Sequence, residues 1–452
     1  MIPSHFKDRA AQMSPTGARF LEFVDRNPDA ARPVDVTGFH TDYPVQCWPT
    51  FISSAQQQEI ARATTSMFRL MRSIPGTIFG DDVAKITDYY QIKPPQLASM
   101  LLTPPHGLDI AIGRADLIDS ESGFKCVEIN PFGSLGGIET EFMLDIYQHS
   151  HAYSRFVAAT GIQPRPQRCM LTLFEHVIRA TLDAGIASDT VNVAVVSDGD
   201  QPAFAGCNDL PQAVFHEALA NVGGGARGTL VRCGARDIRE RDGDLYCGDV
   251  RLHAVWEYLR YKFYPARFVL AFKRGRISYF NTPVSGYFGS KRNLALLSQA
   301  LDSDLYDEDD RESIRRYIPW TREVVDSEVV FREHRGRLPD LLRSNQRELV
   351  LKKSHGYGGD QVFMGESTSA AQWQEAIRMA LDEGDWIAQE FFKPRTFAYQ
   401  WGDEGYAPCK AIWGGFCFGD VFGGTYLRIL PDEHEGPINS ARGAMTGLVF
   451  EV

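Results

Sequence analysis

Two short patterns, Arg114-x-Asp116 and Glu128-x-Asn130, flank the polar stretch Asp119-Ser120-Glu121-Ser122-Gly123. Residues i and i+2 of a strand face the same side, so each pattern puts its two polar groups on one face. A polar cluster ending in Gly marks a turn. With Glu121-Ser122-Gly123 as a three-residue hairpin loop and Gly in the left-handed position, Arg114 faces Asn130 and Asp116 faces Glu128. Ala115, Leu117, Val127 and Ile129 then share the opposite, apolar face. Two carboxylates, a carboxamide and a guanidinium meet on one patch. Such oxygens suit Mg²⁺, which takes few protein ligands and shares the rest of its shell with substrate phosphates. Arg suits a phosphate. A plain cross-strand ion pair, worth about 0.2–1 kcal/mol, gives the same sequence pattern. The rest of the chain has to decide between the two.

At 452 residues the chain has room for about three domains of roughly 150 residues each, with a deep cleft between them. A net charge of −11 argues against a broad nucleic-acid surface or an anionic-membrane patch, since both need clustered Lys and Arg. The N-terminus has no basic segment leading into an apolar run, so no signal peptide is read there. No apolar stretch reaches the roughly 18 residues of a membrane span. A cytoplasmic protein is the expectation. The eight cysteines form no C-x-x-C and no zinc-like pairing with His. They read as reduced thiols, and Cys126 on the hairpin as a small packed side chain.

Along the chain, residues 1–105 read as mostly helical, with helical spacing around Gly17–Val24 and Ser54–Arg72. Residues 106–160 hold the hairpin, the Gly-rich loop Pro131–Gly137 and a helix over Ile138–His149. Residues 161–285 alternate helix and strand. A helix over Met170–Ala187 precedes the short apolar run Val191–Val196, typical of a strand buried in a parallel sheet. A helix over Pro211–Val222 and further strands follow, which suggests a small doubly wound α/β domain. Ser285–Gly289 reads as a mobile loop at its exit. Residues 286–452 become strand-rich from Leu349 onward.

A second constellation lies in this last part. Leu349–Lys352 is an apolar strand ending in Lys352-Lys353, followed by Ser354-His355-Gly356-Tyr357-Gly358-Gly359. A lysine at such a strand end can reach a phosphate across a cleft. Glycines let backbone N–H groups approach phosphate oxygens. The loop is no Walker A motif, and a plain β-turn has the same composition. Strand side chains alternate, so only one of Lys352 and Lys353 faces any given ligand. Asp385–Phe392 is an apolar strand turning polar at Gln389-Glu390. Lys291 opens an amphipathic helix, where a cation is unfavourable unless an anion sits beside it.

Taken together, R-x-D (114–116), E-x-N (128–130), Lys291, the lysine strand with its glycine loop (352–359) and Gln389-Glu390 resemble the ATP-grasp superfamily. The resemblance is to its circularly permuted branch, typified by glutathionylspermidine synthase. The hairpin precedes the lysine strand, the reverse of the ordinary order. Gly423–Arg428 and Ile438–Arg442 extend the likeness, which covers roughly residues 110–452 as scattered motifs. With the helical N-terminal region and the small doubly wound domain read above, it implies a mixed α+β and α/β fold built on an ATP-grasp core in permuted order. It implies an ADP-forming ligase that joins a carboxylate to an amine through an acyl phosphate, on an amino acid or small peptide. A small-molecule kinase on the same scaffold, or a non-catalytic ATP-binding protein, is the alternative.

Carried over by position, Asp116, Glu128 and Asn130 would hold Mg²⁺, and Arg114 would stabilise the transferred phosphoryl group. Lys291, Lys352, Lys353, Gly356, Gly358 and Gly359 would contact ATP phosphates. Gln389 and Glu390 would line the adenine site. Arg428 and Asn439 would bind substrate or phosphate, with a structural role for Arg428 equally open. The family has Lys-Pro where this chain has Lys352-Lys353, which leaves open which lysine reaches ATP. The implied partners are small carboxylates and amines, without nucleic acid or membrane, and a homodimer stays open.

Overall fold

The computed structural model describes residues 1–30, 44–46, 48–93, 97, 111–138, 140–197, 209–258, 265–356, 360–401 and 405–452. The fold is mixed α+β. Its largest sheet has eight strands and joins segments far apart in sequence. The hairpin strands Ile112–Ser120 and Gly123–Asn130 form one end. Next come the long antiparallel strands Tyr406–Phe418 and Val421–Pro431, then Met445–Glu451, and finally Thr50–Ile52 in parallel. The doubly glycine-bearing strand Tyr406–Phe418 is therefore the splice between the hairpin and the C-terminus. Its register sets Gly414 beside Asp116 on one side and beside Tyr426 on the other.

The hairpin pairs Arg114 with Asn130 and Asp116 with Glu128, as the strand spacing predicts. Its loop differs from the expected three residues. Ser120 pairs with Gly123, so only Glu121 and Ser122 make the turn, and Gly123 opens the second strand at φ +90°. A bulge beyond Asp116 restores the register: Leu117 pairs with Cys126, and Val127 is the extra residue. The bulge also moves Val127 off the apolar face. Ala115, Leu117, Cys126 and Ile129 are buried, whereas Val127 borders a cleft.

The N-terminal part supplies helices Ser4–Met13, Pro15–Arg26, Ser54–Thr77 and Val83–Tyr90. The longest, Ser54–Thr77, is capped by the Ser53 hydroxyl and buries Ile60, Ala63, Met67, Phe68 and Met71. It lies against the back of the large sheet, and Gly113 sets how closely. A Cβ there would stand 2.1 Å from Cε1 of Phe68.

A separate four-stranded parallel sheet has the order Ser278–Phe280, Ala254–Tyr258, Val193–Ser197, Leu230–Gly234. Helices Cys169–Asp183, Leu210–Val222 and Ala266–Lys273 accompany it. This sheet is fastened to the large one through Asn281, whose carboxamide bonds Ile112 N–H and the carbonyls of Ile112 and Pro131. Ser285–Phe288, expected as a mobile exit loop, is a short helix with Ser285 and Phe288 buried.

A third sheet is antiparallel in the order Thr321–Glu323, Trp386–Glu390, Leu349–Lys353, Val362–Met364. Helix Ala370–Glu383 packs on one face of it. Leu349, Leu351, Trp386 and Ala388 pack with Trp373, Ala376, Ile377 and Ala380 in one apolar cluster. Alternation then turns Val350, Lys352 and Gln389 to the other face, where they meet the large sheet across a cleft. Among the described residues no helix is long and apolar enough to cross a membrane.

Gly113→Ala is expected to destabilise the protein by about 1–3 kcal/mol through overpacking. Pairing it with Phe68→Leu should recover part of the loss, as read from denaturant midpoints. Additive losses would mean that the helix does not limit the site.

Candidate functional site

The cleft between the large sheet and the third sheet encloses about 380 Å³. Asp116, Ile118, Val127, Glu128, Lys410, Ile412 and Arg428 line it from the large sheet. Val350, Lys352, Val362, Met364, Gln389 and Glu390 line it from the third. Phe391, Phe392 and the segment Asp432–Asn439 border the space between them. Apolar walls with a few convergent charges are the usual make-up of a small-molecule site.

Asp116 is almost wholly buried, at 2 % exposure. Arg114 donates from Nε to its Oδ1 at 2.7 Å, and Arg428 reaches its Oδ2 at 2.6 Å. The Asn130 carboxamide donates to the same Oδ2 at 3.2 Å. Burial alone would push the carboxyl up, but the two guanidiniums outweigh it and hold Asp116 at about 2. Arg114 also donates to the Gly136 carbonyl at 2.9 Å and lies over the Tyr426 ring. It stands behind Asp116. Gly414 leaves the room it needs, since a Cβ there would fall 2.8 Å from the Arg114 stem. Arg428 keeps one buried donor, Nε, without a partner.

Glu128 is the more open carboxylate, with its side chain 28 % exposed, and it pairs with Lys291 at 2.8 Å. Lys291 sits immediately before helix Arg292–Ala300 and donates to the Gly356 carbonyl at 3.1 Å. Lys352 donates to Oε1 of Gln389 at 2.6 Å and to the Val127 carbonyl at 3.3 Å. Burial pulls its amine down to about 8, against the opposing pull of nearby Glu128. Four cations, Arg114, Arg428, Lys291 and Lys352, thus gather around two carboxylates, Asp116 and Glu128. The excess of positive charge fits an anion with several oxygens, such as a phosphate chain.

The structure brings Arg114, Asp116, Glu128, Asn130, Lys291, Lys352, Gly356, Gln389, Glu390, Arg428 and Asn439 to or around this cleft. It takes Lys353 away. That side chain points to the helix face, where it pairs with Glu383 and lies over the Trp386 ring. Lys352 alone of the two lysines therefore borders the cleft. Gln389 lines the cleft and is already hydrogen-bonded. Its carboxamide is spent on Lys352 and on the Thr321 hydroxyl. Glu390 pairs with Arg332 at 3.2 Å. Gly358 and Gly359 lie outside the described residues. The sequence patterns missed Lys410, Thr321 and the walls made by Ile118, Ile412, Met364 and Phe392. One available signal was the Gly414-Gly415 pair inside an apolar strand, which marks a close approach.

Among the described residues no three His, Cys, Asp or Glu side chains cluster as a metal site. The donors present fit a Mg²⁺ that arrives with phosphates. Glu128 is the partly exposed carboxylate, whereas both oxygens of Asp116 are already engaged by guanidinium and carboxamide groups.

No protein-family model and no curated protein matches the chain. Among solved structures it is similar to a "Putative gamma-glutamylcysteine synthetase" from Methylobacillus flagellatus KT. That similarity has 10% sequence identity, covers 84% of this chain and 86% of that chain, and has a TM-score of 0.41. A superposition this loose carries no argument about the site.

Inorganic triphosphate should bind wild-type protein and lose at least about tenfold in affinity with Lys352→Met. Lys353→Met should change it less than about twofold, since that lysine faces Glu383. Equal losses in calorimetry would contradict the assignment. With burial pulling its amine down to about 8, Lys352 should lose its charge as pH rises through that value. Triphosphate affinity should therefore fall as pH rises from 7 to 9, more steeply in wild type than in Lys352→Arg. A flat wild-type profile would remove Lys352 from the anion site.

Proposed function

We propose that this chain is an ATP- and Mg²⁺-dependent carboxylate–amine ligase on an ATP-grasp scaffold in permuted order. The observation that carries the reading is the convergence of Lys291 and Lys352 on one hairpin edge. The two lysines come from separate segments, one bonding the Glu128 carboxylate and the other the Val127 carbonyl. The cleft between two sheets, cationic at this edge and apolar along its walls, has the make-up needed for a nucleotide's phosphates and base.

In this reading residues 106–160 and 286–452 form the nucleotide and metal site, and residues 161–285 form the pocket for the acid or the amine. Lys291, Lys352 and Arg428 hold phosphate oxygens and neutralise the charge that builds as the γ-phosphoryl group passes to a substrate carboxylate. Mg²⁺, which Glu128 would help to hold, would supply further neutralisation of the phosphate charge. An amine then displaces phosphate from the acyl phosphate, giving the amide, ADP and phosphate. No protein nucleophile takes part. Glu128 pairs with Lys291; a bound phosphate would compete for that lysine and leave the Glu128 carboxylate available to a metal. Asp116 keeps both guanidiniums in place. Arg114, behind it, acts by holding Asp116 and the Gly136 carbonyl. The partners are a small carboxylic acid, such as an amino acid or short peptide, and an amine. The setting is the cytoplasm.

A panel of amino acids and amines, scored for ADP release with mass detection of the product, tests the reading. Amine-dependent ADP release with a matching amide mass is expected. Glu128→Gln should lower that release by at least about a hundredfold with an unchanged melting temperature. A stable phosphorylated product formed without amine would instead identify a kinase. Undiminished turnover in Glu128→Gln would sink the hairpin's role.

A further inference from the structure

We propose that Thr321 is a positioning residue that acts through Gln389 to aim the Lys352 ammonium into the cleft. The inference rests on the proposed role of Lys352 as a phosphate-binding group.

Thr321 and Gln389 stand directly opposite each other on adjacent antiparallel strands. Both are fully buried, at 0 % and 1 % exposure. A threonine hydroxyl has one hydrogen, and that of Thr321 goes to the Pro319 carbonyl at 2.8 Å. Toward Gln389 the hydroxyl can therefore only accept. It meets the amide nitrogen of Gln389 at 3.2 Å. This fixes which way round the carboxamide sits, because its NH₂ is directed to Thr321 and its oxygen is left for Lys352, 2.6 Å away. The reversed amide would set NH₂ against an ammonium, two donors facing each other. The Thr321 backbone is fixed in turn, its N–H donating to the Ser298 hydroxyl at 3.0 Å.

The consequence falls on Lys352. Two of its three N–H bonds go to Gln389 Oε1 and to the Val127 carbonyl. The third is left for the cleft that the residue lines. A neutral carboxamide orients the ammonium without cancelling its charge. A glutamate in that position would do both, as Glu383 does for Lys353. The Thr321–Gln389 pair thus serves binding by keeping one buried lysine both aimed and charged.

Calorimetric titration with Mg–ATP and residue-resolved acetic anhydride labelling of Lys352 across pH test the relay together. Thr321→Val keeps the shape and removes the acceptor. It should weaken Mg–ATP binding by about tenfold, whereas Thr321→Ser should stay within about twofold of wild type. In a Lys352→Met background, Thr321→Val should have no further effect. The midpoint of Lys352 labelling should move to lower pH in Thr321→Val, which frees the carboxamide to turn, and in Gln389→Met, which removes the carboxamide oxygen itself. An unchanged labelling profile in both variants would overturn the relay, as would a Thr321→Val effect of equal size without Lys352. A wild-type protein that binds no Mg–ATP would instead overturn the ligase reading, and the labelling profile would still decide the relay.

Discussion

The ionised carboxylate of Asp116, buried under two guanidiniums, is the interaction on which the rest of the site depends. An ion taken out of water costs several kcal/mol even after relaxation, so Asp116 is tolerable only with its partners in place. One partner comes from the same strand and the other from a strand three hundred residues further along the chain. Gly414, between Asp116 and Tyr426 in register and without a side chain, leaves room for the Arg114 stem on its way to that carboxylate. Arg428 arrives from beside Ile412, on the next strand. The pairing locks the hairpin to the C-terminal strands, and so fixes the edge from which Glu128 projects.

This gives the two carboxylates of the hairpin different work. Asp116 is enclosed and fully bonded, and its charge sets the positions of Arg114 and Arg428. Glu128 is partly open and has one lysine partner, which a phosphate can compete for. The common picture of two equivalent metal-binding carboxylates does not describe this arrangement. The groups nearest to each other in strand register differ in burial, and burial decides which of them can exchange partners.

The sequence made some of this legible and hid the rest for physical reasons. Strand alternation has a period of two, so the pairing of Arg114 with Asn130 and of Asp116 with Glu128 could be read directly. The loop could not. A positive-φ Gly123 is compatible with either two or three turn residues, and the bulge at Val127 absorbs the difference without moving the pairs on its far side. Lys291 was readable because a cation just before a helix is locally unfavourable and needs an anion. Alternation also showed that one of Lys352 and Lys353 would face away. Which one depends on the side that helix Ala370–Glu383 covers, a tertiary fact. The partners of Gln389 were hidden for the same reason, since one of them is Thr321, 68 residues away in sequence. Lys410 and the apolar cleft walls had no local signature at all.

The two adjacent lysines are a controlled comparison within one strand. They share a backbone and differ in the face they occupy. Lys353 meets a carboxylate, and its charge is cancelled at the edge of a helix. Lys352 meets a carboxamide and a carbonyl, which hold it with oxygen dipoles and leave its charge unmatched by direct contact. Burial takes its amine down to about 8, against the opposing pull of the Glu128 carboxylate, and a hydrogen bond accepted from the ammonium favours its charged form. A full ion pair would secure the charge and leave none for a ligand. Bare burial would discharge the amine. An oriented amide lies between these limits, which makes the direction of one buried carboxamide a determinant of what the cleft can hold.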